Sequence, residues 1–116
     1  MRHAKIGRKF GRESDHRRAM FRNLMTELFH HERIRTTEAK AKAVRGEAER
    51  MITLACKGDL HARRQIMREI QDKSIVDKLI HVIGPDMQER SGGYTRVIKL
   101  GPRSGDAAPM VYLELL

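Results

Sequence analysis

Aromatic side chains are scarce in this sequence: two tyrosines, three phenylalanines and no tryptophan, 4% of the chain. That scarcity argues against a protein that stacks exposed bases on a sheet face rich in rings. Cysteine is rarer still, with Cys56 alone. A single thiol forms no internal disulfide and offers no paired zinc ligand, which fits a reducing compartment. Cys56 reads as a small buried residue on a helix. Long apolar runs are missing, and none approaches the roughly 18–20 residues of a membrane span. The N-terminal cations are not followed by the apolar stretch of a secretory leader. The chain therefore reads as a soluble cytosolic protein with no membrane partner.

Catalytic arrangements are missing too. No paired carboxylates and no nucleophile–base set stand out. His30-His31-Glu32 is not the H-E-x-x-H metal motif, because Arg35 stands where its second histidine belongs. Gly101-Pro102-Arg103-Ser104-Gly105 lacks the Gly-Lys-Ser/Thr ending of a phosphate-binding P-loop. The expectation is no enzyme, no metal, no cofactor and no small-molecule substrate.

Acidic residues are in short supply: 15 against 24 Lys and Arg, a formal net charge of +9 at pH 7. Such a surplus favours polyanions, because each phosphate contact releases condensed counterions. The charge is uneven. Residues 1–50 hold 14 basic and 7 acidic side chains, a net of +7, and residues 51–116 hold 10 and 8, a net of +2. The polyanion surface belongs to the first half.

Its centre is the N-terminus. Arg2, Lys5, Arg8, Lys9, Arg12, Arg17, Arg18 and Arg22 are interleaved with His3 and His16. Residues 1–14 show neither a helical nor a strand period and read as an extended basic arm. Ordering such a segment costs roughly 1–2 kcal/mol per residue in backbone entropy. The arm is therefore expected to order on its partner. Guanidinium groups fork onto phosphates. Arg63 and Arg64 open a later helix and are further candidates. Lys40, Lys42 and Arg45 decorate the second helix, where charge alone favours a solvated role.

Residues 15–116 read as one globular domain. Asp15 is placed to cap a first helix, with Met20, Phe21, Leu24, Met25, Leu28 and Phe29 recurring at helical spacing to about His31. Arg33-Ile34-Arg35-Thr36 alternates as a short strand. Thr37 caps a second helix that buries Ala41, Val44, Ala48, Met51, Ile52 and Ala55 and stops at Gly58. Asp59 caps a third, burying Leu60, Ile66, Met67 and Ile70. Ser74-Ile75-Val76-Asp77 resembles a capping box opening a fourth helix, which Gly84-Pro85 ends. Ser91-Gly92-Gly93 then breaks the pattern. Tyr94–Leu100 and Pro109–Leu116 read as a β-hairpin closed by a loop over Gly101–Ala108. The expected architecture is α/β of the α+β type: about four helices packed on a small three-stranded mixed sheet.

Two functional classes compete at this point. One is a protein that binds folded RNA through phosphates and shape. The other is a DNA-binding helix-turn-helix-like or architectural protein. In the second, the helices joined through Gly58 form the motif and Arg63 and Arg64 lead its reading helix. The length of the second helix speaks against the DNA reading.

Five stretches carry a family resemblance, in order along the whole chain: MRHAKIGRKFGRESDHRRAMFRNL, IRTTEAKAKAVR, ITLACKGDLHARR, SGGYTRVIKLGPRSGDAAPM and the ending VYLELL. Together they resemble ribosomal protein L17 of the bacterial large subunit. The resemblance implies a non-enzymatic, structural role in binding large-subunit rRNA during assembly and translation. It also implies neighbouring large-subunit ribosomal proteins as partners. Residue by residue, it assigns rRNA contact to Arg2, His3, Lys5, Arg8, Lys9 and Arg12 in the arm. It extends that contact to His16, Arg17 and Arg22 at the start of the first helix. Thr36, Thr37, Lys40 and Lys42 match its strand-to-helix block, and Tyr94 and Arg96 its GGYTR block. Glu13 and Asp15 interrupt the cations where the arm meets the helix, so a gap in the contact surface is expected there.

Overall fold

The computed structural model describes residues 14–116. Arg2, His3, Lys5, Arg8, Lys9 and Arg12 of the expected arm lie outside the described residues. Helix α1 (Ser14–His31) buries Met25, Leu28 and Phe29, with Phe21 and Leu24 packed beside them. Asp15, expected as its cap, stands inside the first turn. The helix ends where Glu32 adopts a left-handed conformation (φ 66°) and donates its N–H to the Leu28 carbonyl. Lys78 finishes that terminus. Its Nζ donates to the His30 carbonyl at 3.0 Å and pairs with Glu32 at 3.2 Å. A cation there satisfies an orphan carbonyl and complements the helix dipole.

Strand β1 (Arg33–Thr37) follows, and its last residue starts α2 (Glu38–Lys57). The Thr37 hydroxyl accepts from the Lys40 N–H at 3.3 Å, as the sequence predicts. Gly58 closes α2 in a left-handed conformation (φ 63°) that glycine adopts without steric cost. All six residues assigned to its inner face are buried, and Leu54 joins them.

Asp59 caps α3 (Leu60–Glu69), its carboxylate accepting from the Ala62 N–H at 2.7 Å. The inner face differs from expectation. Ala62, Ile66 and Ile70 are buried, whereas Leu60 and Met67 are 63% and 46% exposed. The four-residue spacing 62-66-70 selects the buried stripe. Leu60 then lies about 200° from Ala62 around the helix, and Met67 about 100° from Ile66.

Asp72, not Ser74, caps α4 (Lys73–Lys78), accepting from the backbone N–H of Ser74 at 3.0 Å. The helical path then survives Gly84-Pro85, where the sequence predicts its end. A π-helical turn (Leu79–Ile83) widens the backbone and leads into α5 (Gly84–Met87). Proline breaks a helix because its ring strikes the carbonyl one turn earlier and its nitrogen lacks a proton. A π-turn, with bonds reaching five residues back, relieves both problems; the Gly84 N–H accordingly bonds to Leu79 O. Gly84 is also needed for packing. A Cβ there would stand 2.5 Å from the Ala55 carbonyl oxygen of α2.

Strands β2 (Thr95–Pro102) and β3 (Pro109–Leu115) form the hairpin, with a bulge between Lys99 and Gly101. The sheet order is β1-β3-β2, antiparallel throughout and not mixed, because β1 runs against the free edge of β3. Helices cover one face. Phe29, Val44, Met51 and Ile52 share a core with Val111 and Leu113, and Ile34, Val97 and Leu115 complete its rim. Deleting a ring such as Phe29 from a core of this kind costs about 3–5 kcal/mol.

A polar clasp ties α2 to the start of β2. The buried Thr95 hydroxyl donates to Glu49 Oε2 at 2.9 Å and accepts from Arg45 Nε at 3.0 Å, and the Thr95 N–H donates to the same carboxylate. Tyr94 is buried beside it, its hydroxyl donating to the Arg90 carbonyl at 3.4 Å.

Candidate nucleic-acid interface

Four basic residues of the first half meet at a cleft between α1 and α2. It encloses about 630 Å³ and is lined by Arg17, Arg18, Lys42 and Arg50, with Phe21 and Met25 at its floor. Helical spacing builds it. Ser14, Arg17, Arg18 and Phe21 follow one side of α1, and Ala43, Glu47 and Arg50 one side of α2. Two acids, Glu47 and Glu69, also line it.

Electrostatic company separates these cations. Arg17 and Arg18 make no ion pair among the described residues. Arg50 lies 3.5 Å from Glu47, and Lys42 3.1 Å from Glu38. The hydrogen bond from Lys42 holds the Glu38 carboxyl below its ordinary range, its charge adding to the effect. Arg50, Glu47 and Lys42 are exposed while Glu38 is half-buried, and surface pairs of this kind are weak. Arg22 is different. Its Nε sits 3.4 Å from Glu69 with both side chains about two-thirds covered, so it braces α1 against α3.

The remaining sequence-assigned residues disperse. His16 lies on another side of α1, in a shallow recess with Met20, Asn23 and Glu27. Thr36 is buried in β1 opposite Val111. Thr37 spends its hydroxyl on the α2 cap, and Lys40 stands one turn further along that helix. Arg63 is hydrogen-bonded to Asp77, whose carboxyl is lowered chiefly by that bond. Arg64 is exposed. Tyr94 is in the core, and Arg96 reaches Glu114 at 2.7 Å on the sheet's open face. Sequence reasoning passed over Arg50, which only the packing of α2 against α1 brings to the cleft. It also gave Arg45 a solvated role, whereas Arg45 is bonded to Thr95.

At the hairpin tip, Arg103 is forked onto Asp106 at 3.0 and 2.6 Å. Those bonds, reinforced by the Ala108 N–H, hold the Asp106 carboxyl far below the usual carboxylate range. The loop's one cation is thereby neutralised locally. His30 and His31 meet edge-on with ring centroids 4.3 Å apart. Among the described residues, no group of three His, Cys, Asp or Glu side chains is placed to hold a metal. None of their helices is long and apolar enough to cross a membrane.

The family model described as ribosomal protein L17 matches residues 20–116. A Pelobacter propionicus protein named large ribosomal subunit protein bL17 is 57% identical over 116 residues, all of this chain and 91% of the relative. Its namesake from Geobacter sulfurreducens is 59% identical over 116 residues, all of this chain and 66% of the relative. That from Caldanaerobacter subterraneus is 60% identical over 109 residues, 94% of this chain and 97% of the relative.

Proposed function

The chain belongs to the ribosomal protein L17 family, and from that premise we propose that it binds large-subunit rRNA through the α1–α2 cleft and the basic segment preceding it. It is a structural constituent of the large ribosomal subunit, with no catalytic role, and its place is the ribosome in the cytoplasm. The observation that carries the ribosomal role is the similarity across all 116 residues to relatives named as large-subunit proteins.

The site within that role is our own reading. Arg17 and Arg18, without an ion pair among the described residues and at the mouth of a cationic cleft, are poised to neutralise phosphates, and Lys42 and Arg50 exchange weak surface partners for them. Arg2, His3, Lys5, Arg8, Lys9 and Arg12, as residues of an arm over 1–14, would extend that contact. Residues 15–116 act as the globular body that presents it. Neighbouring large-subunit proteins are its further partners.

The DNA-binding alternative loses ground on one observation. Arg63, which would lead a reading helix, is tied down by Asp77 across to α4. Binding of the full chain to large-subunit rRNA fragments and to duplex DNA, across a salt series, tests the proposal. It predicts preference for the rRNA and a footprint on it. Equal affinity for both, with no footprint, would overturn it.

A further inference from the structure

The helices leave one face of the sheet bare, and three arginines stand on it. Arg33 and Arg35 alternate along β1 and Arg96 lies on β2, while the central strand places Glu114 and Tyr112 between them. The register is a grid. Arg33 and Arg96 flank Glu114, and Arg35 and Ile98 flank Tyr112. Glu114 is 14% exposed and grips both neighbours, Arg33 Nε at 3.1 Å and Arg96 Nε at 2.7 Å. The Arg33 guanidinium also lies over the Tyr112 ring, 3.8 Å from its centroid. Three positive charges thus meet one negative charge, and Arg35 has no ion pair among the described residues.

Arg33 is the unusual member. A guanidinium is a flat cation whose two faces both stack. Here Tyr112 supports one face and Glu114 fixes the edge, while the side chain remains 50% exposed. Holding it this way removes most of the rotamer entropy that an arginine would lose on binding. A tyrosine alone at the centre of a sheet is a poor match for the ring-rich platforms of single-strand binders. An arginine held over that ring, 3.8 Å from its centroid, offers a surface of another kind, already charged.

We propose that this open sheet face is a second RNA-binding surface. An unpaired nucleotide stacks its base on the outer face of the Arg33 guanidinium, and the flanking phosphates meet Arg35 and Arg96. Charge complementarity selects the occupant: a flat surface with two surplus positive charges and a preset guanidinium plane suits a base and its phosphodiesters. The site lies across the sheet from the core on which α1 and α2 pack, so the body would touch RNA on two sides. This inference rests on the RNA-binding reading above.

The test uses the full chain and a labelled short single-stranded RNA, with a duplex of the same sequence as control. Arg33→Lys keeps the charge and removes the plane. It should weaken single-strand binding about tenfold with an unchanged salt slope, and leave duplex binding as in the parent. Arg35→Ala and Arg96→Ala should each lower the slope by about 0.7. Thermal melting of each variant checks that it folds. Parent-like affinity of Arg33→Lys for the single strand overturns the platform. If every sheet-face variant binds like the parent while Arg17→Ala/Arg18→Ala loses RNA, the sheet inference fails and the cleft stands. If neither set changes binding, the RNA reading itself fails. Sheet-face variants that bind RNA normally but drop out of reconstituted large-subunit particles would assign the face to a protein, and overturn the inference equally.

Discussion

Arginines at the two ends of the described molecule keep different company. Arg17 and Arg18 on α1 have no carboxylate partner among the described residues, whereas Arg63 and Arg103 are bonded to Asp77 and Asp106. The count of charges already hinted at this, with +7 in the first fifty residues and +2 in the rest. The structure adds the reason it matters. Acids of the second half hold Arg63, Arg96 and Arg103, while Arg64, Arg68 and Arg90 make no ion pair among the described residues. Among the described residues, the acids of the first half leave Arg17 and Arg18 without an ion pair. A positive charge that no carboxylate holds is the readiest candidate for phosphate.

The comparison can be broken at several points, the largest effects first. Removing residues 1–13 takes away five cations and should lower the log–log salt slope of rRNA binding by roughly 0.7–0.9 for each that reaches a phosphate. An unchanged slope would reduce the segment to a solubilising tail. The double variant Arg17→Ala/Arg18→Ala should lower the slope by about 1.4–1.8. Its melting temperature should match the parent's, since neither side chain makes an ion pair among the described residues.

The next two concern the claimed side of the molecule. Gly84→Ala should destabilise the fold by about 1–3 kcal/mol, because its Cβ meets the α2 backbone, which yields less than a side chain. Denaturant unfolding measures that directly. Thr95→Val should cost a similar 1–3 kcal/mol by removing the hydroxyl that Arg45 and Glu49 share, leaving only their bonds to the Thr95 backbone. A neutral result would mean water replaces the hydroxyl.

The smallest effect lies at the hairpin tip. Because the folded Asp106 carboxyl titrates below its ordinary value of 3.8, its bond to Arg103 is intact at neutral pH. Its contribution is complete above that ordinary value and fades only as pH falls through the lower folded one. Carboxyl-carbon NMR should accordingly show a midpoint below 3.8. Arg103→Ala should leave the salt slope of rRNA binding as it is.

Much of the fold is legible because its punctuation is local. Thr37, Gly58 and Asp59 bound helices by hydrogen bonds and backbone preferences that a few neighbouring residues determine. What was not legible depends on distant partners. Proline 85 ends helices in general, but a π-turn upstream lets this one pass, and only the approach of Ala55 explains the glycine before it. Leu60 and Met67 look buried until the packing of Ala62, Ile66 and Ile70 turns α3. The direction of β1 in the sheet is likewise a tertiary outcome. For the site, charge marked the right half of the chain. It could not separate Arg17, without an ion pair among the described residues, from Arg22, held by Glu69 47 positions away. Tyr94 was assigned to RNA through its motif, and in the fold its ring is buried next to the Thr95 clasp.

The most direct test sets the unpaired cations against the paired ones in a single experiment. The salt dependence of large-subunit rRNA binding would be measured for the parent, for Arg17→Ala/Arg18→Ala and for Arg63→Ala/Arg103→Ala. The account predicts a slope lowered by about 1.4–1.8 in the first double variant and unchanged in the second. Equal loss in both, or loss in the second alone, would contradict it.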